Sequence, residues 1–154
     1  MNHPRRKCGI DRISFHLGMI NCFAEMVACG VKKLALSPPL IPEDYEKIKK
    51  ASDDIVEGFG IQSYLEKSLL ITDLQSEDFT RGKWSILYYK TDDVLRDYLD
   101  LKALKEQFKK EGRTDAHGRE SISRKFMQLL SYPNDVIEAK LCGNAPDPFM
   151  LIDV

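Results

Sequence analysis

Apolar positions recur at helical spacing through Asp11–Gly30. At about 100° per residue, Ile13, His16, Met19, Ile20, Phe23, Met26 and Val27 fill one broad face. Ser14, Gly18, Asn21 and Glu25 form a narrow polar stripe on the other, with Cys22 and Cys29 at the edge between them. A helix apolar over most of its circumference is usually covered on most sides. The stretch therefore predicts a largely buried helix of about five turns that serves as the packing axis of the domain. Asp11 can accept from the first amides, and Gly30 can close the helix in a left-handed turn.

Further on, Val31–Ser37 reads as a short aliphatic strand ended by Pro38-Pro39, which cannot continue a ladder. Pro42 opens a second helix, with Glu43 and Asp44 in its first turn where the dipole favours them. Its inward side is Tyr45, Ile48, Ser52, Ile55, Val56 and Phe59, and Gly58 and Gly60 end it. Ile61–Leu74 carries both helical and strand features. It is read as a strand because Trp84–Lys90 is a second aromatic, β-rich run that can pair with it across the link Gln75–Lys83. A helix capped by Thr91 follows, with Val94, Leu95, Tyr98, Leu101, Leu104 and Phe108 as its stripe and Gly112 as its end. Arg113–Gly118 reads as a loop and Glu120–Leu130 as a helix broken at Tyr132-Pro133. Pro133 starts a last short helix to about Leu141.

These elements predict an α+β fold: a small sheet of about three strands packed by a central buried helix and several others. Three strands backed by helices is the smallest stable sheet of this kind. The 154 residues suit a single domain spanning 1–154. Within it, 1–10 is expected to be a flexible basic leader and 144–154 a docking tail. The apolar Phe149–Val154 must cover itself on its own sheet, on the first helix, or on a second copy of the chain as a homo-oligomer.

Charge narrows the function. With 23 Lys+Arg against 24 Asp+Glu, the net charge is −1, which argues against a dedicated nucleic-acid-binding module. No apolar run reaches the roughly 18 residues of a membrane span. The polar, basic first residues have no apolar core of a secretory signal. A cytoplasmic location is the expectation, in which Cys8, Cys22, Cys29 and Cys142 are free thiols acting as small buried hydrophobes. No cysteine or histidine spacing suits a metal, and the sequence leaves any cofactor unknown.

Two regions carry candidate chemistry. The stripe Gly18/Asn21/Glu25 either faces solvent or, beside Ser37, lines a pocket in which Glu25 is a base, an acid or an anchor. His16, on the apolar face, reads as a hydrogen-bonded core histidine. In the second region, Arg113, His117, Arg119, Arg124 and Lys125 gather about a loop and a helix start. Helix N-terminal amides with arginines suit a phosphate or carboxylate, whereas a solvated basic surface is the plainer alternative. The ligand-binding set is then Asn21, Glu25, Ser37, His117, Arg119, Arg124 and Tyr132.

The segment Arg124-Lys125-Phe126-Met127-Gln128-Leu129-Leu130-Ser131-Tyr132-Pro133 resembles part of an uncharacterised prokaryotic family, a domain of unknown function with the pattern Gly-x-Leu-Leu-Gly-Tyr-Pro, often followed by cysteines. Leu129, Leu130, Tyr132 and Pro133 are kept. Met127 and Ser131 replace the glycines, and Asn134-Asp135 stand where the cysteines follow. The resemblance implies no activity.

Three functions remain in view. The first is a domain binding a small anionic ligand. The second is a structural or interaction subunit docking through Phe149–Val154. The third is an acid–base enzyme using Glu25. In the last, His16 cannot be the partner, because it lies nine residues away on the opposite side of the helix; His117 or Tyr132 would have to serve.

Overall fold

Ser85–Tyr89 is buried at all five positions. Its sequence, SILYY, lacks polar alternation, as expected of a strand covered on both faces. Around it, a computed structural model describes residues 6–7, 9–72, 77–143 and 152–153. The elements in order are β1 (Arg6–Lys7), α1 (Arg12–Ala28), β2 (Leu34–Leu36), α2 (Pro42–Phe59), β3 (Gln62–Glu66), α3 (Glu77–Thr80), β4 (Ser85–Tyr89), α4 (Asp92–Lys110), α5 (Ala116–Leu129), α6 (Asn134–Leu141) and β5 (Ile152–Asp153).

β4 is the middle strand of a three-stranded antiparallel sheet ordered β2-β4-β3. Leu36 pairs with Leu87 on one side, and Tyr64 pairs with Leu87 on the other. Successive side chains point to opposite faces, so β4 joins two cores. Ile86 and Tyr88 pack with Ile20, Ala24 and Val27 of α1 and Ile48 and Val56 of α2. Leu87 and Tyr89 pack with Tyr98 and Leu101 of α4, Phe126 of α5 and Ile137 of α6. The fold is α+β as expected, with the sheet between a helix pair and a helix trio. Among the described residues no helix is long and apolar enough to cross a membrane.

α1 shares the role of packing axis with β4. It packs on α2, β2 and β4, and His16, Ile20, Ala24 and Val27 are buried. Asp11 caps it by accepting from the Ser14 amide at 2.8 Å. Its polar stripe faces outward, taking Cys22 and Cys29 with it; these and Cys142 are exposed rather than buried, and Cys8 lies outside the described residues. α1 is tied to α2 by a two-pronged pair: Arg12 Nε sits 2.7 Å from Asp44 Oδ2, and its Nη2 donates to Oδ1 at 3.1 Å.

Several boundaries moved for local reasons. The expected strand Val31–Ser37 is only Leu34–Leu36, because the Val31 and Lys32 amides turn back to the Met26 carbonyl at the end of α1. The strand expected over Ile61–Leu74 stops at Glu66, whose carboxylate accepts from the Ser68 amide at 2.8 Å and turns the chain. Residues 73–76 lie outside the described residues, and the link to β4 contains α3. Thr91 holds the N-cap position of α4 without a side-chain cap. Its hydroxyl bonds the Asp93 carboxyl, the main cause holding that group below the usual carboxylate range.

α5 begins at Ala116, earlier than the expected Glu120, because Asp115 caps it by accepting from the Gly118 amide at 2.9 Å. At its other end Ser131 takes φ 65°, alone among the described non-glycine residues in that region. Left-handed closure of a helix favours glycine, so a serine here is strained. The Ser131 hydroxyl is engaged, accepting from the Lys33 amide at 2.8 Å. Of the leader and the tail, Arg6–Lys7 and Ile152–Asp153 pair in parallel; the rest of Phe149–Val154 lies outside the described residues.

The carboxylate of Glu66, buried at 4% exposure, gathers several polar partners. It accepts from Tyr98 Oη at 3.0 Å and from Lys102 Nζ at 2.7 Å on Oε2. Removing one partner of a buried charge leaves the other uncompensated. Lys102→Met is therefore expected to cost about 2–3 kcal/mol in urea unfolding. A loss under about 0.5 kcal/mol, within the range of an ordinary surface substitution, would contradict this assignment.

Candidate functional site

α4 and α5 run back to back through the turn at Gly112, and the loop after β3 lies across them. A cavity of about 220 Å³ opens where the three meet. Its apolar walls are Ile71 from the loop, Phe108 near the end of α4 and Ile122 in the second turn of α5. Its polar rim is Thr72, Lys105, Arg113, Thr114, Arg119 and Ser123. The three cationic rim positions have local causes. Lys105 Nζ donates to the Ile71 carbonyl, fixing the loop. The Arg113 guanidinium lies 4.3 Å from the Phe108 ring centroid, a cation–π stack, with Glu111 3.6 Å away. Arg119 projects from the first turn of α5.

Gly118 allows the rim to close. A Cβ there would stand 2.4 Å from the Arg113 carbonyl oxygen, so only glycine lets the loop backbone lie this close to the helix. The first turn of a helix presents amides and the positive end of its dipole. One of those amides, Gly118 N, is taken by Asp115, which also adds a negative charge beside the site. The positive side chains at the rim are Arg113, Arg119 and Lys105.

Two further clefts are present, one along the same helices and one beside α1 and β2. A wider groove of about 590 Å³ runs between Asp93, Asp97 and Asp100 of α4 and Lys125 and Gln128 of α5. A cavity of about 210 Å³ sits between Phe23, Lys32, Ala35, Leu36, Leu130 and Tyr132.

The residues expected to share one site are not brought together. Asn21 and Glu25 are exposed on α1 and line none of these three clefts. The stripe therefore follows its solvent-facing reading, because the apolar face of α1 is used up against α2 and the sheet. Ser37 is buried; its Oγ accepts from the Ile86 amide at 2.9 Å and donates to the Pro38 carbonyl at 3.0 Å. It joins β2 to β4 instead of lining a pocket. His117 is exposed in the first turn of α5 and is not part of the rim.

Arg124 is committed elsewhere. It pairs with Glu120 at 3.0 Å and reaches Glu138 Oε2 of α6 at 3.2 Å. The two carboxylates push the guanidinium up, and Arg124 pulls Glu138 down. Tyr132 belongs to the smaller cavity, with Lys32 and Lys140 each 5.4 Å from its ring centroid. Of the expected set, Arg119 alone lies on the anion-suited rim. Among the described residues no three His, Cys, Asp or Glu side chains gather to hold a metal ion.

Lys105 and Phe108 were missed because their spacing, read alone, marks only the buried side of a helix. Their meeting with Arg113 depends on the turn at Gly112, which folds residues 105–108 beside 119–122. Searches against family models, curated proteins and solved structures find no match to this chain.

His16 is buried as expected, but its Nδ1 has no hydrogen-bond partner among the described residues. Burial lowers its pKa, reinforced by Arg12 and Lys83 and opposed by Asp44. The unfolded imidazole titrates near the ordinary 6.5, the folded one lower. The folded state thus binds fewer protons, and stability is full above that value and falls as pH drops below it. Wild type is expected to lose up to about 1.4 kcal/mol per pH unit just below 6.5 in chemical unfolding, and His16→Gln should flatten this slope. Equal slopes for the two proteins between pH 7 and 5 would contradict the assignment.

Proposed function

We propose that this chain is a small-ligand-binding domain. Its ligand is an amphiphilic anion: an aromatic or aliphatic body carrying a carboxylate or phosphate. The body enters between Ile71, Phe108 and Ile122, and the anion meets Arg113 and Arg119. The observation that carries this reading is a small apolar cavity rimmed by Lys105, Arg113 and Arg119 at the start of a helix. Ligand sites are mostly apolar with a few convergent polar groups, and arginine suits carboxylate and phosphate through its paired donors.

The rim orders the contributions. Arg113 is held 4.3 Å over the Phe108 ring centroid, so its charge is preorganised. Arg119 is exposed and closes over the anion. Lys105 is engaged with the loop carbonyl and contributes mainly field. The cavity volume limits the body to about one ring or a short chain, which excludes a nucleotide held whole.

Phenyl phosphate and benzoate are expected to raise the melting temperature in a saturable way, while phenol and inorganic phosphate do so weakly. At a hundred-fold excess over Kd, mass action adds about 2.7 kcal/mol, or some 5–10 °C for a chain of this size. Arg119→Ala should weaken phenyl phosphate about tenfold or more, the scale of one charged hydrogen bond, with its own melting temperature nearly unchanged. A flat response to both acids, or equal binding by the Arg119 variant, would rule this reading out.

A further inference from the structure

The cavity behind Tyr132 holds a chemically distinct amine. Lys32 follows directly on the turn that ends α1, and its backbone is fixed on both sides. Its own amide donates to Met26 O at 3.2 Å, and the next amide, Lys33 N, donates to Ser131 Oγ at 2.8 Å. The side chain turns inward instead of following its neighbour Val31 into solvent. Its Nζ donates to the Leu130 carbonyl at 3.0 Å and lies 5.4 Å from the Tyr132 ring centroid. The remaining walls, Phe23, Ala35, Leu36 and Leu130, are apolar.

Among the described residues, no carboxylate is paired with this amine. A lysine in water is a hydrated ammonium and a poor nucleophile. One desolvated by an apolar wall is more readily neutral, and the neutral amine is the form that attacks carbonyl carbon. Burial is the cause that lowers the Lys32 ammonium below the usual lysine range.

We propose that Lys32 is a carbonyl-capturing amine, which condenses reversibly with a small apolar aldehyde seated in the cavity of about 210 Å³ between α1, β2 and the corner that joins α5 to α6. The Nζ lone pair forms a bond to the carbonyl carbon, and the C=O pair becomes a hydroxyl by taking an amine proton. The carbinolamine then expels that hydroxyl with the remaining amine proton as water, leaving a C=N bond. No group is oxidised or reduced. The Leu130 carbonyl holds the nitrogen at the mouth, and the Tyr132 face stabilises the charge when the imine is protonated.

Reductive trapping on the full chain tests this. Butanal at limiting concentration with cyanoborohydride near pH 7, followed by peptide mass spectrometry, is expected to label Lys32 several-fold more than the exposed Lys49, Lys109 and Lys110. Glyoxylate, a charged aldehyde of similar size, should lose that preference, because the cavity is apolar. In a Lys32→Arg variant with an unchanged melting temperature, the preferred adduct should vanish and not move to another lysine. Labelling of Lys32 at or below the level of the exposed lysines would overturn the proposal, as would equal preference for glyoxylate. A lysine that serves only to cap α5 gives those results.

Discussion

One buried carboxylate organises the junction between the sheet and the helix trio. Glu66 ends β3 on the face that α4 covers, and its two oxygens meet three donors: Ser68 N, Tyr98 Oη and Lys102 Nζ. The network extends outward. Leu70 N donates to Tyr98 Oη at 3.1 Å, and Lys102 also donates to Ser68 O at 2.8 Å. A carboxylate this deep is costly without partners. Here every partner belongs to α4 or to the loop that leaves β3, so satisfying the charge also fixes that loop against the helix. Burial is the main cause that raises the Tyr98 hydroxyl above the usual phenol range, and the adjacent carboxylate adds to it, which keeps Tyr98 a donor.

The candidate anion cavity inherits its shape from this arrangement. Tyr98, Lys102 and Lys105 lie on one side of α4, at spacings of four and three, which places them along a single stripe. The first two hold Glu66 and Ser68; the third holds Ile71. The loop is thus laid along α4 and supplies Ile71 and Thr72 as a wall facing Phe108 and Ile122. Across the sheet, Asp44 of α2 plays a comparable part with Arg12 of α1, but that pair faces half-exposed surface and lines none of the clefts described. The α4 side therefore carries the loop and the two clefts along α4 and α5, while the third cavity reaches across to α1 through Phe23 and Ala35.

Much of this architecture was legible because it rests on local signals. Pro42 and Gly60 mark the ends of α2, Asp11 marks the start of α1, and the run Trp84–Lys90 marks a strand. Five of the six helices follow from such signals, while the short α3 falls in what reads as a polar link. The candidate site was less legible, because it depends on which surfaces meet. Asn21 and Glu25 share a helix stripe with the spacing of a site, yet nothing in the local pattern says whether a stripe looks at a cavity or at water. Ser37 beside Pro38 suggested a pocket rim, whereas its hydroxyl serves the sheet. Arg124 looked available until α6 brought Glu138 to it. Glu66 carries no sequence signal at all: a glutamate ending a strand normally points to solvent, and only its encounter with Tyr98 and Lys102 makes it a core residue.

Chemical-shift mapping addresses the central claim, that the loop held by Glu66 and α4 forms one wall of a ready anion site. In ¹⁵N-labelled protein titrated with phenyl phosphate, the account predicts saturable shifts that cluster at the amides of Ile71, Thr72, Thr114, Gly118 and Arg119, with Asn21 and Glu25 unmoved. Shifts that stay linear with ligand concentration, or that centre on α1, would contradict it.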